Sequence, residues 1–207
     1  MDDTTSDLEE GLLLNEQGQP YRALVVFDRI LERHPEDGAA LNGKARALLG
    51  MGEYQLALAL CDQTLARYPH LAGTANTKIA ALIALGRAHE ALALAEHELA
   101  VAPDDALSWY NKGLVLLALR RYTEAAEAFD RVLALDATYV LAWIKKGTAL
   151  LGCDLATDAL AMFEHALALK PDDAEAQRGV AEARKAIKDG RVKGWLLALA
   201  VSVLWWR

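Results

Sequence analysis

Proline recurring at a fixed interval constrains this chain more than any other feature. Pro35, Pro69, Pro103 and Pro171 are separated by 34, 34 and twice 34 residues, with Ala137 at the one vacant step. A chain that repeats at this period folds as a row of similar units, each packing on its neighbours because none buries its apolar side alone. Five units fit the period: 4–37, 38–71, 72–105, 106–139 and 140–173. Inside each, two stretches of helical periodicity flank a short break, at Gly18, at 50–52, at Gly86, at Arg120 and Arg121, and at 152–154. The pattern predicts one helix hairpin per unit. The prolines fall where one helix has ended and the next has not begun. Asp37, Asp105 and Asp173 stand where they would N-cap the following helix.

Composition agrees with an all-α fold. The chain is 54% hydrophobic with only five prolines, and Ala and Leu outnumber the β-branched and aromatic residues that favour strands. Its net charge of -7 argues against nucleic acid as a partner, because phosphate binding requires a concentrated basic face. The charge is uneven: from Ala174 onward seven Lys/Arg meet three Asp/Glu, so residues 1–173 carry -11. Cys61 and Cys153 lie three units apart in a stacked-repeat arrangement, beyond disulfide reach, which suits a reducing compartment. The acidic N-terminus lacks the basic-then-apolar order of a secretory signal, so the expected location is cytoplasmic.

Over residues 4 to about 188 the chain resembles the tetratricopeptide repeat family. The fourth and fifth units carry the likeness best. Trp109 and Trp143 fill the family's bulky fourth position, Gly113 and Gly147 its small eighth, Ala125 and Ala159 its small twentieth, and Phe129 and Phe163 its large twenty-fourth. The first unit matches at Gly11, Ala23, Phe27 and Pro35. The logic is steric: small residues let two helices approach closely, and the aromatic ring fills the space between hairpins. The second and third units depart, with Ala45 and Ile79 at the eighth position and Cys61 and Ala95 at the twenty-fourth. There the packing should be looser or compensated elsewhere. The resemblance implies a right-handed superhelical stack of five hairpins. Ala174 to about Lys188 would form a capping helix, giving a repeat domain over 1–189. Gly190 is expected to break that helix, leaving a basic-flanked hydrophobic tail over 190–207 as a separate apolar helix.

Residues for catalysis are scarce. Serine occurs only at Ser6, Ser108 and Ser202, and His89-Glu90 is followed by its next histidine eight residues on, where a zinc-binding helix needs four. His34 and His70 fall in turns, His97 and His165 on helices, and all read as solvated. Cys61 reads as a small core hydrophobe and Cys153 as a turn residue. The expectation is a non-enzyme with no metal and no cofactor.

Repeat folds host many partners, so function has to be argued from the surface. In the family the resemblance implies, the first helix of each hairpin lines a concave binding face through its second, fifth, sixth, ninth, twelfth and thirteenth positions. Those positions hold Glu9 and Leu12, then Asn42 and Arg46, then Asn76, Thr77 and Ile83, in the first three units. The fourth supplies Leu107, Tyr110, Asn111, Leu114 and Leu117, and the fifth Leu141, Ile144, Lys145, Thr148 and Leu151. The later half is apolar with a few polar fixtures, which suits an extended or amphipathic segment of a protein or peptide partner. Asn42, Asn76, Asn111 and Lys145 are placed to bond a peptide backbone or carboxylate, although plain solvated helix surface would read the same way. Chaperone-binding relatives use a Lys/Asn/Arg carboxylate clamp. Leu107, Ala80 and Leu141 stand where its polar members belong, so that partner is not expected.

Residues 195–206, WLLALAVSVLWW, carry no charge and follow Arg191 and Lys193. Twelve helical residues span ~18 Å against roughly 30 Å of bilayer hydrocarbon, too short to cross. Tryptophans at both ends (Trp195, then Trp205 and Trp206), with Leu196 and Leu197 between, suit a shallow anchor at a membrane surface. Packing as an ordinary terminal helix and burial in a homo-oligomer, where the tail fills its own or a neighbour's groove, stay open beside it. The leading expectation is a protein-interaction scaffold or adaptor, attached through the tail to the cytoplasmic face of a membrane. A self-associating structural module is the alternative.

Overall fold

The computed structural model describes the backbone of residues 3–204 and the side chains of residues 4–190. Trp205 and Trp206, and the side chains of Trp195, Leu196 and Leu197, lie outside the described residues. The described chain is helical throughout, with no strand, and forms two compact units, Met1–Pro103 and Asp104–Arg207. The division falls at a repeat boundary, beside the third of the periodic prolines.

The first unit holds α1 (Asp3–Glu16), α2 (Pro20–Arg33), α3 (Gly38–Gly50), α4 (Tyr54–Arg67), α5 (Thr74–Ala84) and α6 (Ala88–Val101), paired in order as three hairpins. Its packing follows from one large ring between two glycines. Phe27 is fully buried, and a Cβ added at Gly11 would lie 2.7 Å from the ring, inside any real contact. A Cβ at Gly43, on the first helix of the next hairpin, would sit closer still. Only hydrogen at both positions lets α1 and α3 close on the ring. The departures in the second and third units are compensated. Ile79 and Ala95 exchange the usual small and large positions, and both are buried, as is Cys61. A volume swap keeps such a core filled. Even so, α5 is the shortest helix of the unit and its pairing with α6 the sparsest. The hairpin turns each place one residue in the left-handed region, Gly18, Gly52 and Gly86, at φ +69°, +83° and +74°.

The second unit holds α7 (Ala106–Ala118), α8 (Tyr122–Leu135), α9 (Val140–Gly152), α10 (Ala156–Leu169) and α11 (Ala174–Leu204). Phe129 and Phe163 are buried against Gly113 and Gly147 of their own hairpins, where a Cβ would come within 2.6 and 2.8 Å of the rings. Gly179 of α11 closes on Phe163 from the other side, as Gly43 does on Phe27. The turns use Arg120 and Asp154 in the left-handed region, at φ 59° and 61°, where the first unit uses glycine. The anticipated N-caps are present: Asp37 accepts from the Ala40 N–H at 2.9 Å, Asp105 from Ser108 at 2.8 Å, and Asp173 from Ala176 at 3.1 Å. At Ala137, where the periodic proline is missing, side chains hold the turn instead. Asp136 accepts from the Thr138 N–H at 2.9 Å, and the Trp143 indole donates to the Ala137 carbonyl at 2.8 Å.

One sequence expectation fails here. Gly190 does not end the capping helix: α11 runs unbroken through it for 31 residues. A helix-interior glycine costs about 1 kcal/mol relative to alanine, which its Ala-, Leu- and Lys-rich surroundings absorb, whereas a break would need proline or a capping signal. Ala176, Val180 and Ala183 are the buried side of α11, packed on Phe163 and Ala166.

Candidate binding face

Within each unit the first helices of successive hairpins lie beside one another, α1, α3 and α5 in one and α7, α9 and α11 in the other. Gly43 and Gly179 bring α3 and α11 close to the hairpins before them, and the side opposite the second helices is left to solvent. In the first unit this side is mixed, with Leu12 and Ile83 half-buried among polar residues. Glu9 and Arg46 are exposed, Asn42 and Asn76 half-buried, and Thr77 buried. Asn42 is engaged within the chain: its Nδ2 donates to the Ala72 carbonyl at 3.4 Å and its Oδ1 accepts from Thr77 Oγ1 at 3.0 Å. It therefore ties α3 to the turn entering α5. Arg46 borders a small pocket lined by Asn15, Gly18, Pro20, Leu49 and Gly50. Asn15 donates from Nδ2 to the Gly43 carbonyl at 2.9 Å.

In the second unit the corresponding side is apolar. Leu107 and Leu141 are 40% and 43% exposed, Leu114, Leu117 and Leu151 half-buried, and Thr148 exposed, with its hydroxyl donating to the Ile144 carbonyl at 3.1 Å. Two of the anticipated contact residues lie beneath this surface rather than on it. Ile144 is fully enclosed, and Tyr110 is buried between Phe129 and Tyr139, with ring centroids at 5.8 and 5.3 Å. Burial pushes the Tyr110 phenol above its ordinary pKa, so it stays neutral. Asn111 is buried as well. Lys145 is half-buried and bonds Glu175 of α11 at 2.6 Å, linking successive first helices. Asn42 and Lys145 thus serve as inter-hairpin ties.

A second periodic device escapes a reading by residue volume alone. Lys44 pairs with Asp28 at 2.6 Å, Lys78 with Asp62 at 2.7 Å and Lys146 with Asp130 at 2.5 Å. Each joins the seventh position of one repeat to the twenty-fifth of the repeat before it. Such exposed pairs contribute little each, typically below about 1 kcal/mol, but they recur at the period and favour one register. Aligning the five units by charge as well as by volume exposes them. His165, which the sequence presents as merely solvated, stacks on Trp143 with ring centroids 3.9 Å apart.

Cys61 is buried, and its thiol is pushed up to about 12 by desolvation, so it is no nucleophile at neutral pH. Among the described residues no three His, Cys, Asp or Glu side chains gather to hold a metal ion, and no helix is long and apolar enough to cross a membrane.

A hairpin of paired helices repeated every 34 residues, with glycine against phenylalanine at the junctions around Phe27, Phe129 and Phe163, defines the class of helical-repeat proteins. Within that class the chain belongs to the tetratricopeptide repeat family: the Tetratricopeptide repeat family profile matches residues 8–72 and 78–140. The solved structure of TTC0263, a thermophilic TPR protein of Thermus thermophilus, is similar over 87% of this chain and 98% of its own, at 27% identity and TM-score 0.81. YrrB, a TPR protein with an unusual peptide-binding site, shares the fold at 20% identity and TM-score 0.57, over 86% of this chain and 97% of its own. The second TPR domain of human RPAP3, solved with an HSP70 peptide, is similar over 53% of this chain and 92% of that domain, at 22% identity and TM-score 0.51. No curated protein sequence matches significantly.

Proposed function

We propose that the chain is a protein-interaction scaffold, and that the first-helix face of residues 104–207 holds a short apolar segment of a partner protein. The observation that carries this reading is the accessible leucine surface on α7 and α9. Leu107 and Leu141 occupy equivalent positions of successive repeats, on neighbouring first helices, and are 40% and 43% exposed. Leu114, Leu117 and Leu151 extend the patch along the helices, and Ile144 and Tyr110 form its floor. A contiguous apolar strip with a polar rim is the usual anatomy of a peptide-docking surface. Asn42, Arg46 and Asn76 are proposed as lesser, polar contacts of the first unit. Two proteins of the same fold, YrrB and RPAP3, are known with a peptide-binding site and a bound peptide, which makes the reading reasonable for this scaffold.

Selection of a displayed random-peptide library on the purified full chain tests it. Enriched peptides should share bulky apolar residues. Their affinity should fall at least about tenfold on Leu107→Lys with Leu141→Lys, since each substitution places a charge where an apolar contact is made. Unchanged circular dichroism would show the scaffold intact. Peptides indifferent to both substitutions, or no enrichment at all, would dismiss the assignment.

A further inference from the structure

We propose that the segment held on the first-helix face of residues 104–207 is an amphipathic α-helix, with an apolar stripe on the leucines of α7 and α9 and a stripe of alternating charge against α11. This rests on that face being the docking surface, and it names the form of the occupant. The face changes character at α11. Its second position is Leu107 on α7 and Leu141 on α9 but Glu175 on α11, and the following turns of α11 on that side bring Arg178, Glu182, Lys185 and Asp189. Acid and base alternate without interruption over these five residues. At 100° per residue they lie within about 80° of one another, turned away from the buried Ala176, Val180 and Ala183. Lys145 of α9 bonds Glu175 at 2.6 Å, which sets the stripe beside the leucine strip. Arg178, Glu182, Lys185 and Asp189 are exposed, and the side chains of the last three form no ion pair or hydrogen bond among the described residues. Arg178 Nε donates to the Ala174 carbonyl of its own helix at 3.3 Å.

The spacing of the charges decides the form of the partner. From Glu175 to Asp189 the stripe climbs about 21 Å at the helical rise, so successive charges stand about 5.3 Å apart. A helix laid alongside returns the same side every ~5.4 Å and keeps opposite charges in step along the whole stripe. An extended chain returns the same side every ~6.8 Å, so over four intervals it runs about 6 Å ahead and sets like charge on like. Because the series begins and ends on an acid, a partner helix presents its complement in either direction. The leucines supply the contact area, and the charges fix the register and reject a mismatched helix.

Two synthetic peptides of about 18 residues test it, both Ala- and Gln-rich helices with one leucine stripe. Beside the leucines, one places Glu, Lys and Glu to oppose Arg178, Glu182 and Lys185, and the other places Lys, Glu and Lys. Titrated into the full chain at low salt and read by fluorescence anisotropy, the Glu-Lys-Glu peptide should bind at least about tenfold more tightly, and the preference should shrink as salt rises. Net charge alone favours the other peptide, since the chain carries -7. In the chain with Arg178→Glu, Glu182→Lys and Lys185→Glu the preference should reverse at an unchanged melting temperature. A proline in the middle of the Glu-Lys-Glu peptide should weaken it at least about tenfold. Equal binding of the two peptides, binding of neither, a proline form as tight as the original, or a folded triple variant that keeps the parent's preference would overturn the proposal. The first three outcomes need only the parent chain. Display enrichment that depends on Leu107 and Leu141 would in each of those cases leave the docking strip standing, so the two readings fail separately.

Discussion

Gly147→Ala puts the packing logic of the repeats at risk in a single methyl group. A Cβ there would meet the Phe163 ring at 2.8 Å, about 0.6 Å short of the 3.4 Å at which ordinary contact begins. The ring cannot retreat. It is 2% exposed, and Gly179 of α11 bounds its far side more closely still. Overpacking of this kind costs about 2–3 kcal/mol where neighbours cannot yield, and exchanging a helix-interior glycine for alanine returns about 1 kcal/mol. The net expectation is a destabilisation of about 1–2 kcal/mol, or a melting temperature lower by roughly 3–6 °C for a chain of this size. Thermal unfolding followed by far-UV circular dichroism measures it. Phe163→Leu alone should also destabilise, by leaving a void. The double variant should be less impaired than the two singles predict, by about 1 kcal/mol or more, because the new methyl occupies part of that void. A Gly147→Ala protein as stable as the parent would refute the clamp, and strict additivity would show that the two positions do not meet.

Three other perturbations read separate parts of the account. Arg120→Gly and Asp154→Gly should each stabilise the chain by about 0.5–1 kcal/mol by relieving left-handed backbone, while Gly52→Ala, at φ +83°, should cost about 1 kcal/mol; urea midpoints compare them. Asp105→Ala removes the N-cap acceptor of the Ser108 N–H and should cost about 1 kcal/mol, with Asp105→Asn close to neutral in the same assay. The Asp173 carboxyl, which accepts from the Ala176 and Glu175 amides and neighbours Lys170, is held below its ordinary pKa, the Ala176 bond being the largest cause. Its contribution is therefore complete above the unfolded value near 4 and lost as pH falls through the lower folded one, so acid should weaken the cap only below about pH 4. Asp173→Asn should retain the cap and lose that pH dependence, as read by melting temperature against pH.

The hairpins, their turns and their aspartate caps are legible in the sequence because each repeats at a fixed period with its own local chemistry. Phe27, Phe129 and Phe163 are legible as spacers, and Gly11, Gly113 and Gly147 sit at a position the family marks, yet the second glycine against Phe27 and Phe163 is not legible, since Gly43 and Gly179 act on the preceding hairpin's ring from another register. The candidate face is harder to read. Position within a helix says which way a side chain leaves the backbone but not how far its neighbours cover it, so Ile144 and Tyr110 look like surface in the sequence and are floor in the fold. Asn42 and Lys145 look available to a ligand because their partners, Thr77 and Glu175, belong to the following repeat. Gly190 looks like a break only in isolation: the Ala-, Leu- and Lys-rich stretch around it outweighs one glycine.

The functional claim turns on which surface meets the partner segment, and leucine-methyl NMR of the full chain titrated with a selected peptide measures that directly. The methyls of Leu107, Leu114, Leu117, Leu141 and Leu151 should shift together, while Leu135 and Leu169, exposed on the second helices α8 and α10, stay still. Shifts confined to Leu135 and Leu169 would place binding on the opposite side and contradict the account.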